Sequence, residues 1–99
     1  MPPSPTDARA LLTVSGADRP GVTARLFSAL ARVSEGGPAI EVLDIEQVVV
    51  HGQLVLGVVV GALPDGDGAV VPEAELLACL SRLGDDVAAA TGVRVQVES

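Results

Sequence analysis

Residues Ala10 to Val14 form an apolar run that turns at Ser15-Gly16 and leads into Asp18-Arg19-Pro20-Gly21-Val22-Thr23, the opening of an amphipathic helix. A strand, a glycine turn and a helix start within so few residues belong to a domain that mixes sheet and helix. Pro20 at the first helical position loses nothing, because its absent N–H would be an orphan there. Asp18 is placed to cap the first-turn amides and faces the positive end of the helix dipole. Gly21 leaves the backbone bare where another molecule can come close. Outward-pointing amides at such a junction suit a small carboxylate. The same residues equally describe a well-capped helix with no ligand.

The remaining pattern supplies the other elements. The first strand, Ala10 to Ser15, sends Leu12 and Val14 to one face and Leu11 and Thr13 to the other. A first helix over about Pro20 to Val33 carries Val22, Leu26, Leu30 and Val33 as one stripe, with Arg25 and Arg32 off it. Ser34 to Pro38 reads as the turn that ends it. Ile40 to Val50 reads as a long second strand, with Leu43, Ile45 and Val49 on one face and Val42, Asp44, Glu46, Val48 and Val50 on the other. That mixture of acids and valines fits a surface half solvated or half covered by a partner. His51-Gly52 is a two-residue hairpin loop. Gln53 to Val60 is apolar on both faces and belongs inside the sheet. Pro64 to Gly68 is an acidic, glycine-rich loop. A second helix from about Pro72 buries Leu76, Leu80, Leu83 and Val87, places Glu73 and Glu75 in its first turn, and stops at Gly92. Val93 to Glu98 alternates as a half-buried strand.

The expected fold class is therefore α+β: a ferredoxin-like βαββαβ unit, a four-stranded antiparallel sheet with two helices on one face. Residues 1–8 are expected to be a flexible head and residues 9–99 the single domain. The chain has 99 residues, 48% of them hydrophobic, and a mean hydropathy of +0.49. A domain of this size buries a limited share of its surface, so apolar side chains are expected on the outside and a homo-oligomer, in the first place a dimer, covers them.

Several function classes are disfavoured. A net charge of −7 with six dispersed basic residues opposes nucleic-acid binding, which relies on neutralising phosphates. Phe27 is the only aromatic residue, so there is no base-stacking platform. The longest apolar run, Val55 to Leu63, falls short of the roughly 20 residues needed to cross a bilayer. The head, Met1 to Asp7, lacks the apolar core of a signal peptide, and a cytoplasmic location is expected. Cys79 is the sole cysteine, which leaves no disulfide and no paired-cysteine metal site; it reads as a small buried hydrophobe. No cofactor, metal or catalytic residue is expected. Asp44 and Glu46 share a strand face and form either a divalent-metal or acid–base pair or a solvated stripe. His51 reads as a turn residue. A small acylphosphatase-like enzyme on this topology would want an asparagine, and the chain has none.

The loop Gly16-Ala17-Asp18-Arg19-Pro20-Gly21-Val22, together with this order of strands and helices, resembles the ligand loop of the ACT domain family. Leu11 to Thr23, Val42 to Val49 and Gln53 to Val58 resemble the amino-terminal regulatory region of actinobacterial phosphoserine phosphatases. The resemblance implies an amino-acid-binding regulatory module, with serine or glycine held between domains and controlling a separate catalytic domain. It implies ligand contacts from Gly16, Asp18, Arg19, Pro20, Gly21 and Val22. Asp18 would accept from the ligand ammonium, the amides of Gly21 and Val22 would receive its carboxylate, and Gly16 would serve the turn. Many relatives place a side-chain amide at the start of the second strand; Glu41 stands nearest that position. The Asp-x-Asp-x-Thr loop of the catalytic domain has no counterpart in this sequence, so the chain is expected not to hydrolyse phosphoserine. A structural dimerisation domain with a degenerate ligand site is the alternative.

Overall fold

Alternation in the first strand sets the core. In the computed structural model, which describes residues 8–36, 39–63 and 71–99, β1 spans Arg9–Ala17. Its inward side chains Ala10, Leu12 and Val14 are buried. They lie opposite Val60, Val58 and Leu56 of β3 (Gln53–Ala62). On the other side Leu12 and Val14 face Val97 and Val95 of β4 (Arg94–Glu98). With β2 (Ile40–Val50) the sheet order is β2-β3-β1-β4, every pair antiparallel. Helices α1 (Val22–Gly36) and α2 (Glu73–Thr91) cover one face and supply Leu26, Leu30, Leu76, Leu80 and Val87 to the core. The expected ferredoxin-like βαββαβ architecture is present. Among the described residues, no helix is long and apolar enough to cross a membrane.

The second helix follows its sequence signals. Pro72 stands at its N-terminal cap with φ −62° and ψ 145°, its carbonyl accepting from the amides of Glu75 and Leu76. Glu73 and Glu75 occupy the first turn, where the helix dipole favours them. Gly92, at φ 78°, closes the helix by donating its N–H to the Ala88 carbonyl at 2.8 Å. Such a left-handed closing residue is the usual glycine stop. Within α2, Gly84 lies so near β4 that a Cβ there would stand 2.9 Å from Val95 Cγ1.

Four details depart from the expectations above. The first helix begins at Val22, not Pro20, because Gly21 has φ +90°, a conformation no right-handed helix contains. It also runs on to Gly36. Ser34 Oγ donates to the Leu30 carbonyl at 3.2 Å and accepts the Ile40 amide at 3.1 Å, stitching this last turn to β2. Ala8, assigned above to a flexible head, is buried, and its carbonyl accepts the Ala62 amide. The rest of that head, Met1 to Asp7, lies outside the described residues, as do Gly37, Pro38 and the acidic loop Pro64 to Gly68. Cys79 is half-buried at the helix surface, where Arg82 Nη2 reaches its Sγ at 3.5 Å.

The fourth departure is a β-bulge between Val42 and Asp44. Two residues there oppose one on β3, so the alternation skips a step. Val42 therefore joins Ile45, Gln47 and Val49 on the helix side, opposite Val60, Val58, Leu56 and Leu54. Leu43 moves to the open face, where its Cδ1 lies 3.1 Å from the place a Cβ on Gly61 would take. The faces of Val42 and Leu43 are thus exchanged relative to simple alternation.

Candidate functional site

The loop from β1 to α1 is built by two glycines and one hydrogen bond. Gly16, still within β1, has φ +152° and lets the strand pass Val93, whose Cα would stand 3.3 Å from a Cβ at that position. Its role is close approach within the sheet more than the making of a turn. The Asp18 amide donates to the Gly52 carbonyl at 2.9 Å, fastening the loop to the β2–β3 hairpin. In that hairpin His51 and Gly52 take φ 52° and 75°, as a two-residue type I′ turn requires.

The cap of α1 is Gly21, not Asp18. The Gly21 carbonyl accepts the first helical bond, from the Arg25 amide at 2.9 Å. The Val22 amide donates back to the Arg19 carbonyl at 3.4 Å, and the Val22 side chain is buried in the core. Among the described residues, the amides of Gly21, Thr23 and Ala24 have no backbone acceptor. They are donors free to receive an anion, and Gly21 is one of the two whose amides the resemblance implies as carboxylate contacts. Asp18, Arg19, Pro20 and Gly21 are all exposed around this helix start.

A cleft of about 240 Å³ opens there, lined by Arg19, Pro20, Gly21, Val22, Arg25, Ala90 and Thr91. Arg25 lies off the apolar stripe of α1, and it stands one helical turn after Gly21, a spacing that points it back over the helix start. Ala90 and Thr91 arrive from the end of α2, which no local pattern in the first half of the chain announces. Two guanidinium-bearing residues at a helix start give this cleft groups that can pair with an anion, and the Asp18 carboxylate stands in the adjoining loop.

Gly21 carries a test of this geometry. Nothing lies within 4 Å of a Cβ built there, so Gly21→Ala meets no clash but keeps the unfavourable φ. Its expected cost is about 1–2 kcal/mol of stability, read by chemical denaturation, from backbone strain alone. A neutral result would show that the loop relaxes to another conformation.

Glu41 is not brought to this loop. It pairs with Gly61, which pairs in turn with Arg9 at the start of β1, whereas the loop leaves the far end of that strand. Eight strand steps separate the two ends, about 26 Å at the usual rise per residue. Glu41 instead borders a cleft with Ala8, Arg9 and Leu43. Asp44 and Glu46 share the open face, exposed. Asp44 Oδ1 accepts its neighbour's amide, Ile45 N–H, at 2.9 Å. Among the described residues no group of three or more His, Cys, Asp or Glu side chains gathers to hold a metal ion.

The four-stranded sheet, the two helices on one face and the glycine-rich β1–α1 loop define an ACT domain. The ACT domain family model matches residues 8–90, and the chain belongs to that family, a class of regulatory modules. It is 40% identical over 85 residues to phosphoserine phosphatase SerB2 of Mycobacterium tuberculosis, covering 85% of this chain and 19% of that protein. It is 46% identical over 56 residues to the phosphoserine phosphatase of Streptomyces coelicolor, covering 57% of this chain and 12% of that one. The chain thus spans less than a fifth of the length of either relative. The crystal structure of the ACT domain from GTP pyrophosphokinase of Chlorobium tepidum superposes with a TM-score of 0.60 at 15% identity, covering 92% of this chain and 97% of that one.

Proposed function

We propose that this chain is an amino-acid-sensing regulatory module that binds L-serine or glycine between two copies of itself and controls a phosphoserine phosphatase catalytic domain. The observation that carries the reading is the start of α1. There the side chains of Arg19 and Arg25 line one exposed cleft with Gly21, and the amides of Gly21, Thr23 and Ala24 at this helix start have no backbone acceptor. An α-carboxylate satisfies those groups, and the Asp18 carboxylate suits an ammonium group. The phosphatase relatives support the choice of serine, the product of the reaction their name describes.

The pairing of two copies runs through β2. Six of the eight exposed large apolar side chains among the described residues lie on that strand: Val42, Leu43, Ile45, Val48, Val49 and Val50. The opposite edge, β4, is five residues long and bears Arg94 and Glu98. Antiparallel pairing of two β2 edges sets the start of one strand beside the end of the other. Glu41 of the partner subunit then comes beside the hairpin that holds the Asp18 loop, which gives Glu41 a place in the site that one protomer denies it. A register centred on Gln47 faces Asp44 with Val50 and Glu46 with Val48, avoiding acid against acid.

The alternative, a structural dimerisation domain, draws on the distance between Glu41 and the loop within one protomer. Thermal shift with each of the twenty amino acids, with mass followed by light scattering, separates the two. At a hundredfold ligand excess over Kd, a binding site adds about 2.7 kcal/mol, about 10 °C or more in a domain of this size. That rise is expected with serine, or with serine and glycine, and is expected to vanish in Asp18→Ala. A stable dimer that shifts with no amino acid would favour the structural reading.

A further inference from the structure

The chain contains six basic residues, all arginine, against thirteen acidic ones. Three of the six, Arg25, Arg32 and Arg82, line one groove between the outer faces of α1 and α2, with Asp86 its only carboxylate. All three guanidinium-bearing residues are exposed. The groove measures about 600 Å³, and half-buried Ala29, Val33 and Cys79 with exposed Ala90 form much of its floor. It runs from Gly36 and Cys79 at one end to Arg25 and Ala90 at the other. The eleven helical steps from Arg25 to Gly36 make it about 16 Å long, three turns of an α-helix.

We propose that this groove is a docking surface for an acidic amphipathic helix of a protein partner. Length and charge spacing both select that occupant. Arg25 and Arg32 are seven residues apart on α1, two turns or about 10 Å along the groove. Carboxylates at positions i and i+7 of a docked helix have the same spacing, and Arg82 stands on α2, the other wall. Arginine's planar fork engages such carboxylates in pairs of hydrogen bonds. Small floor residues let a partner helix lie close, and its apolar stripe covers Val33 and Ala29, the usual mode of helix-in-groove recognition. Arg82 is partly oriented already by its contact with Cys79 Sγ. Elsewhere the chain is strongly acidic and repels such a helix, so the charge pattern sets where it binds.

The groove is separate from β2 and borders the proposed amino-acid site, sharing Arg25 and Ala90 with the cleft at the start of α1. An occupant of the groove therefore abuts that cleft.

The probe is a fluorescein-labelled, end-blocked 14-residue helical peptide with Glu at positions i and i+7 and an Ala/Leu stripe, titrated with the full chain in anisotropy at low salt. A matched peptide with Lys for Glu is the control. Amide chemical shifts map the contact. Saturable binding of the Glu peptide is expected, with shifts on α1 and α2 and none on β2. Binding is expected to weaken about tenfold or more in the Arg32→Glu, Arg82→Glu double variant and with raised salt. That double variant is expected to gain affinity for the Lys peptide. Both substitutions are at exposed positions, and an unchanged melting temperature confirms the fold. Three results overturn the proposal: no binding of the Glu peptide, binding insensitive to the double variant, or displacement by millimolar citrate with the same shift pattern, which would assign the groove to small polyanions.

Discussion

The Ile45→Lys variant is expected to run in light scattering at the 9.9 kDa of one chain, while the unaltered protein runs at twice that mass. Ile45 lies on the helix-side face of β2 between Val42 and Val49, and all three are nearly half exposed because neither helix reaches over this edge. Burying what is left open of one such side chain is worth about 1 kcal/mol, and each protomer contributes its own set. In the register centred on Gln47, Ile45 faces Val49 of the partner subunit, so the variant sets an ammonium group against an apolar side chain, and lysine is the residue with which sheet edges are commonly blocked. This β2 has neither lysine nor proline along its eleven residues. The matched substitution Gln96→Lys on β4 is expected to leave the mass unchanged. A dimer that survives Ile45→Lys and dissociates with Gln96→Lys would move the interface to the other edge.

Gly84→Val is expected to cost the domain about 3 kcal/mol, the upper part of the range for overpacking a close-fitted core. In a domain of this length that is a fall of about 12 °C or more in Tm. The added Cβ alone would stand 2.9 Å from Val95 Cγ1 and 3.3 Å from Val95 Cβ. Both atoms belong to a strand held on its other side by β1, so neither can move freely. A valine in place of glycine improves helix propensity by a few tenths of a kcal/mol, far less than the strain. Val95→Ala removes the nearer atom, so the double variant is expected to recover part of the loss in a thermodynamic cycle. Additive destabilisation in that cycle would mean that α2 lifts away from β4 as a unit.

Most of this fold is legible in the residues because each element states its own period. Leu12 and Val14 alternate with Leu11 and Thr13, and Leu76, Leu80, Leu83 and Val87 keep helical spacing, so faces follow from arithmetic. The bulge at Leu43 is not legible, since a skipped step leaves every residue type unchanged and only the register against Val60 and Val59 reveals it. The cap of α1 misleads for a related reason. Aspartate and proline are strong start signals, yet Gly21 at φ +90° decides where helical geometry begins. Of the amides left without a backbone acceptor, Gly21 lies in the loop motif, whereas Thr23 and Ala24 are residues whose types announce nothing. Gly16, Asp18, Arg19, Pro20 and Gly21 mark the loop openly, Arg25 joins it through helical spacing, and Thr91 joins it only through tertiary packing. Glu41 sits where the strand order requires, and it is the full length of the sheet that keeps it from the loop.

The single backbone hydrogen bond from Asp18 to Gly52 joins the loop over the cleft to the turn that ends β2. In a dimer paired through β2, ordering that turn and ordering that loop become one event. Thermodynamic reciprocity then fixes the exchange: whatever factor a bound amino acid adds to pairing, pairing adds to amino-acid affinity. On the proposed function, the domain would respond weakly to its ligand below the concentration at which two copies associate. Its own abundance would then be a second signal, read through the same hydrogen bond.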